Sequence, residues 1–349
     1  MRWQFESIPV PSTFVEGPAW SGRSLFFSDL PGERILRLDS HLLTVSVVVT
    51  HSRVARGLAF DREGSLWACE GSDGASCADQ VAGVVSGLAP CRTSTEGPTP
   101  SEGRGVVRYD LAARRNTVTS RHACRRFDEP QDIIIDRAGR AWFTDSRFTE
   151  DGRRYEQPGS AIHRLDRGKR ETARVAVDVG RACGLALSID ERTLYVTDAG
   201  VFGQASAVRA YTIGADGALS VGRTLREFGP ERVGGLALDA FGRLLVVVGR
   251  SHVGAGPRIE VLDGDGARLQ IHALPATATN VCFGDTDLRT VYVTGFDGRL
   301  HRARVDRHGA PLVHGVRDVE PVIRPPLRCE RVDRDARDAR DAGDGRELR

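Results

Sequence analysis

The chain has 349 residues and a net charge of +2. One closed all-β domain or two smaller domains both fit that length, and no global field argues for nucleic acid. Hydrophobic residues make up 40%, enough for a core, while 39 Gly and 16 Pro against one Met favour many short strands joined by turns over long amphipathic helices.

Other features bear on compartment. No stretch approaches the about 20 apolar residues that a membrane span needs. Residues 1–12 have no apolar run ending in a small-residue cleavage site, so no signal peptide is expected. Seven scattered cysteines suit a reducing, cytoplasmic setting with free thiols, with a Cys77–Cys91 bridge as the one local alternative.

Taken in chain order, Trp3–Ile8 reads as an edge strand placed to complete the last sheet of a closed ring, beside Pro311–Val316. A unit then recurs: an opening motif, a strand, a short polar turn, a second strand ending in a polar residue, and a third strand. Its six copies begin at VEGPAW (15–20), ARGLAF (55–60), PQDIII (130–135), ACGLAL (182–187), VGGLAL (233–238) and TNVCFG (279–284). The opening motifs are centred on Gly17, Gly57, Asp132, Gly184, Gly235 and Val281. A recurrence of roughly 45 residues with about four strands each is the propeller period. Turns such as Asp61–Gly64 and Asp136–Gly139 use glycine to reverse the chain between two β-runs. No helical pattern of 10–15 residues alternates with the strands, which excludes a parallel α/β sheet.

The sequence therefore predicts an all-β, six-bladed β-propeller over residues 1–328. Residues 329–349, a mixed-charge run with almost no apolar side chains, form a disordered tail. Two long loops, 71–105 and 146–160, overhang one face as lids or as insertions.

Strand geometry locates a site. Inner strands that start at one face and second strands that return to it bring two rings of residues to one mouth of the central channel. The first ring is Glu16, Arg56, Gln131 with Asp132, Cys183, Gly234 and Asn280; the second is Asp29, Glu70, Asp145 and Asp198, with His252 following the fifth.

At these motifs the sequence resembles the gluconolactonase, regucalcin and luciferin-regenerating-enzyme family of six-bladed propellers, from about Phe14 to Val305. VEGPAW, PQDIIIDRAGRAWFTD, GLALSIDERTLYVTD and TNVCFGDTDLRTVYVT carry the resemblance. It implies hydrolysis of a lactone or related cyclic ester with one divalent cation, calcium or zinc. A hard dication polarises the ester carbonyl while a carboxylate activates water. Glu16 matches the family's first-blade ligand. The later ligand positions carry Gln131 for an Asn, Cys183 for an Asn and Gly234 for an Asp, so the implied metal set shrinks to Glu16 and Gln131.

Three functions remain open. One is a lactonase with a rebuilt site, using Glu16 or Asp132 as general base and Arg56 or a residual metal at the oxyanion. Another is a metal-free catalyst: either Cys183 serves as nucleophile or acid beside Arg56, or a cyclase or isomerase uses Glu16 and Asp132 as an acid–base pair. The third is a non-catalytic propeller that binds a small molecule. Arg56, Gln131, Asn280 and His252 are the candidate substrate contacts, and the expected partner is a small molecule rather than nucleic acid or membrane. Each residue also has a structural role to offer. Cys183 fills a small buried gap, Glu16 accepts backbone hydrogen bonds, Arg56 pairs with Glu16 or Glu70, Asp145 and Asp198 cap turns, and His252 sits in solvent.

Overall fold

In the computed structural model, which describes residues 2–71, 104–147, 155–201, 204–249 and 255–313, the six repeats become six four-stranded antiparallel sheets. Their inner strands are Val15–Trp20, Ala55–Phe60, Pro130–Ile135, Ala182–Leu187, Val233–Leu238 and Ala278–Gly284. Each packs against the next, and the sixth packs against the first, which closes the ring. Among the described residues there is no helix, and so none long and apolar enough to cross a membrane. Residues 72–103 and 148–154 of the two long loops, Cys77, Cys91, His252 and the charged tail lie outside the described residues.

The blades are alike because their local chemistry is alike. In blade two, Asp61 Oδ1 accepts from Glu63 N and Ser65 N at 3.0 and 2.8 Å, and Oδ2 accepts from Trp67 Nε1 at 2.8 Å. Gly64 completes that turn at φ 83°, a conformation that side-chain-bearing residues rarely adopt. Blade three repeats the device with Asp136 and Trp142. Between the sheets lie dry clusters such as Leu245, Val247, Ile259, Val261, Val291 and Val293, which bury the outward faces of neighbouring blades.

Closure departs from the expectation in one respect. The N-terminal strand, Glu6–Pro9, does complete blade six, but it pairs with Arg299–Arg304, the third strand of that blade. Pro311–Val313 belongs to no strand. Joining the first strand of the chain to the last sheet makes opening of the ring conditional on breaking that ladder. Trp3 anchors it, stacked on His272 with ring centroids 3.7 Å apart and donating from Nε1 to Asp306 at 3.2 Å.

A second correction concerns register. Every inner strand carries a register shift near its start: after its first pair in five blades, Ala55↔Glu70, Pro130↔Asp145, Ala182↔Asp198, Val233↔Val248 and Ala278↔Gly295, and in blade one between Glu16 and Ala19, following Val15↔Asp29 and Glu16↔Ser28. The two residues after the first pair of each blade therefore occupy equivalent places around the channel. In blade six these are Thr279 and Asn280. Asn280 thus belongs with Asp132 and the glycines, and Thr279 takes the place equivalent to Glu16. The reading centred on Val281 is one residue late.

Candidate active site at the channel mouth

The two residues at each bulge form two rings. One is Glu16, Arg56, Gln131, Cys183, Gly234 and Thr279; the other is Gly17, Gly57, Asp132, Gly184, Gly235 and Asn280. Hydroxyls on the second strands hold the first ring in place. Ser28 donates to the Arg56 carbonyl at 2.8 Å, Thr144 to the Cys183 carbonyl at 2.9 Å and Thr197 to the Gly234 carbonyl at 2.6 Å. Thr279 closes the circle by donating to the Val15 carbonyl at 2.9 Å.

Of the four glycines in the second ring, two make room for its polar members. A Cβ on Gly57 would strike Asp132 Oδ1, and one on Gly235 would strike Asn280 Oδ1. Asp132 is held by Ile133 N at 3.0 Å on one oxygen and Leu185 N at 3.1 Å on the other. Asn280 accepts from Val281 N at 2.8 Å, leaving its amide hydrogens to reach the Asp132 carboxyl.

Asp132 is strongly perturbed. Burial, reinforced by the Glu16 carboxylate, pushes its pKa up to about 7 against the pull of its backbone donors and Asn280. Protein surrounds it, yet the residue is not fully buried. A carboxyl that is deeply enclosed, reachable by water and half ionised near neutrality is suited to proton transfer.

The remaining predicted residues sort as follows. Glu16 pairs with Arg56, whose Nη1 lies 3.4 Å from Oε2; the arginine side chain is only 5% exposed. Gln131 is buried, and its Nε2 donor has no partner among the described residues. Cys183 is buried, with its Sγ 3.5 Å from the Arg181 carbonyl. The strand-end carboxylates hold loops rather than ligands. Asp29 pairs with Arg34, and Glu70 with Arg115 and Tyr109. Asp198 accepts from Gly180 N, Arg181 N and Gly200 N at 2.9, 2.8 and 3.0 Å. Asp145 accepts from Asp128 N and Glu129 N, and burial beside those two carboxylates raises its pKa to about 8.

These residues do not fit the divalent cation that the resemblance implies. Glu16 and Gln131 do stand at equivalent ring positions with Cys183 and Gly234, but Arg56 already neutralises Glu16, and both Asp132 oxygens accept backbone N–H groups. No group of three or more His, Cys, Asp or Glu side chains able to hold a metal occurs among the described residues. A six- to eight-oxygen calcium shell is out of reach of this donor set, and zinc would lack three strong ligands. At Gly234 the loss extends to the backbone, since a Cβ there would collide with the Thr279 carbonyl.

Residues 14–296 match the family model described as the SMP-30/Gluconolactonase/LRE-like region. Among solved structures, a gluconolactonase from Xanthomonas campestris is 26% identical, with a TM-score of 0.68 over 86% of this chain and 89% of that one. A luciferin-regenerating enzyme (17% identity, TM-score 0.68, 90% of this chain and 99% of that one) shares the fold. So does the calcium-binding protein regucalcin from Agrobacterium tumefaciens (14% identity, TM-score 0.64, 90% and 95%). No curated protein matches the chain.

Proposed function

The chain belongs to the SMP-30/gluconolactonase/LRE-like family, and from that premise we propose that it hydrolyses a lactone or related cyclic ester at the channel mouth without the family's dication. The observation that carries this reading is Asp132, a channel carboxyl whose pKa stands near 7.

Asp132, when ionised, takes a proton from a water in the channel, and the resulting hydroxide adds to the ester carbonyl. Collapse of the tetrahedral intermediate breaks the ring C–O bond, and the proton held on Asp132 passes to the departing alkoxide. Water is consumed, an acid and an alcohol appear on one molecule, and no redox partner is needed. The Gln131 amide, a buried donor with no partner among the described residues, and the Arg56 guanidinium supply hydrogen bonds to the developing oxyanion. Glu16 acts by position: it holds Arg56 and keeps the Asp132 pKa near the working pH. Cys183, with its sulfur close to a backbone carbonyl, has no role as nucleophile in this scheme.

The test is turnover on a panel of sugar and alkyl lactones with metal-stripped protein. Hydrolysis rising with pH through about 7, lost in Asp132→Asn and retained in Cys183→Ala, is the expected result. Turnover that needs added calcium or zinc, or that survives Asp132→Asn unchanged, would overturn it.

A further inference from the structure

Between blades three and four lies a cavity of about 950 Å³. Its charged lining is Arg147, Arg174, Arg181 and Arg209 with Asp178 and Asp198. Four guanidinium groups face two carboxylates. Asp128 and Asp145, just outside the lining, temper that excess, but two of the arginines, Arg174 and Arg181, have no carboxylate within ion-pair distance among the described residues. Arg209 pairs with both aspartates, at 3.5 Å to each, and Arg147 pairs with Asp128 at 3.0 Å. Arg174 donates only to backbone carbonyls, those of Gly159 and Ser160. Arg181 has no side-chain hydrogen bond or ion pair among the described residues. The Nε–H donors of Arg174, Arg181 and Arg209 are all buried with nothing to accept them.

Two guanidinium groups without a carboxylate partner, on the wall of one cavity, suit a ligand that brings acceptors and negative charge. Aspartates already saturate one side of the cluster, so the deficit lies toward Arg174 and Arg181. Burial also holds the Arg174 pKa below the usual arginine range, a cost that a bound anion would offset. The planar guanidinium fork matches phosphate or carboxylate oxygens in pairs, and the volume suits a small metabolite rather than a bare ion.

The cavity also connects to the channel through the chain itself. Arg181 lies two residues before Cys183 in the same segment, and its carbonyl lies 3.5 Å from the Cys183 sulfur. Arg232 continues the positive charge, close enough to Arg181 for mutual repulsion and to Cys183 for attraction.

We propose that this cavity binds the phosphate or carboxylate of a small molecule through Arg174 and Arg181. Resting on the lactonase reading above, we infer that the substrate is an acidic lactone whose ring lies over Asp132. The charged group would then anchor the molecule while the neutral ester meets the base, and binding energy far from the reacting carbonyl would orient it.

Calorimetric titration with glucose 6-phosphate, glucuronate and glucose tests this without requiring turnover. One of the two acidic sugars should bind at least about tenfold more tightly than glucose, and the tighter of them identifies the anion. Arg174→Gln and Arg181→Gln should each weaken that binding about tenfold or more, as loss of a charge-assisted hydrogen bond does. Their melting temperatures without ligand show whether the fold survives, and the pair of variants guards against one that does not. Raising salt should weaken binding in parallel. Equal affinity for all three sugars, or wild-type affinity in both arginine variants, would overturn the proposal. Arginine-dependent binding without hydrolysis of any lactone would leave the anion site standing and remove the lactonase. Hydrolysis of neutral lactones without anion binding would do the reverse.

Discussion

The raised pKa of Asp132 makes a thermodynamic prediction that needs no substrate. In an unfolded chain an aspartate loses its proton near pH 4, whereas in the folded channel it does so near 7. Between those values the folded state holds a proton that the unfolded state has released, so stability from this group is full below about pH 4. It falls by about 1.4 kcal/mol per pH unit and is lower by about 4 kcal/mol above pH 7. That figure is an upper one, since the residue is not fully buried and solvent screening lowers it. Asp132→Asn has no charge to bury. One of its two backbone donors, Ile133 N or Leu185 N, would then face an amide NH₂, at a cost of about 1–3 kcal/mol that does not depend on pH. Asp145, which also titrates high, is present in both proteins and cancels in the difference. Urea unfolding followed by tryptophan fluorescence at several pH values should show the variant gaining about 3 kcal/mol on the wild type between pH 4.5 and 8.5. Parallel stability curves across that range would refute the tuned carboxyl, and with it the general base.

Glu16→Gln removes the negative charge that helps raise the Asp132 pKa, so the acid limb of the pH–rate profile should move to lower pH; an unmoved limb would mean the two carboxyls do not interact. Gly234→Asp, which restores the residue type the family uses as a ligand, should fail to create a calcium or zinc site and should lower the melting temperature, because its Cβ meets the Thr279 carbonyl. Stoichiometric metal binding by that variant in a calorimetric titration would contradict the closed backbone described here. Trp3→Ala should cost about 3–5 kcal/mol in urea unfolding, the usual loss for a buried Trp. It removes the stack on His272 and loosens the strand that closes the ring. A loss below about 1 kcal/mol would mean that the backbone ladder with Arg299–Arg304 is sufficient by itself.

The repeat was legible because propeller blades are written locally. The Asp–Gly turns, the β-branched runs and the strand-ending carboxylates each sit within a dozen residues of one another, and a six-fold recurrence leaves little freedom in topology. The first ring was legible for the same reason: Glu16, Arg56, Gln131 and Cys183 follow from counting along each inner strand. Blade six defeated that count. A bulge places Asn280 where four other blades carry glycine and blade three carries Asp132, and only the pairing of Ala278 with Gly295 shows it.

What the sequence alone decided, then, was the fold and, outside blade six, the residues that ring the channel. What the tertiary structure decided was their chemistry. Asp132 gains its pKa from enclosure and from Glu16, a residue more than a hundred positions away, and Glu16 is claimed by Arg56 from another blade. The arginines of the side cavity come from four separate segments of blades three and four, and nothing in their spacing marks them as neighbours. Periodicity is a property of the chain, whereas desolvation and charge pairing depend on distances between segments that only the closed ring brings together.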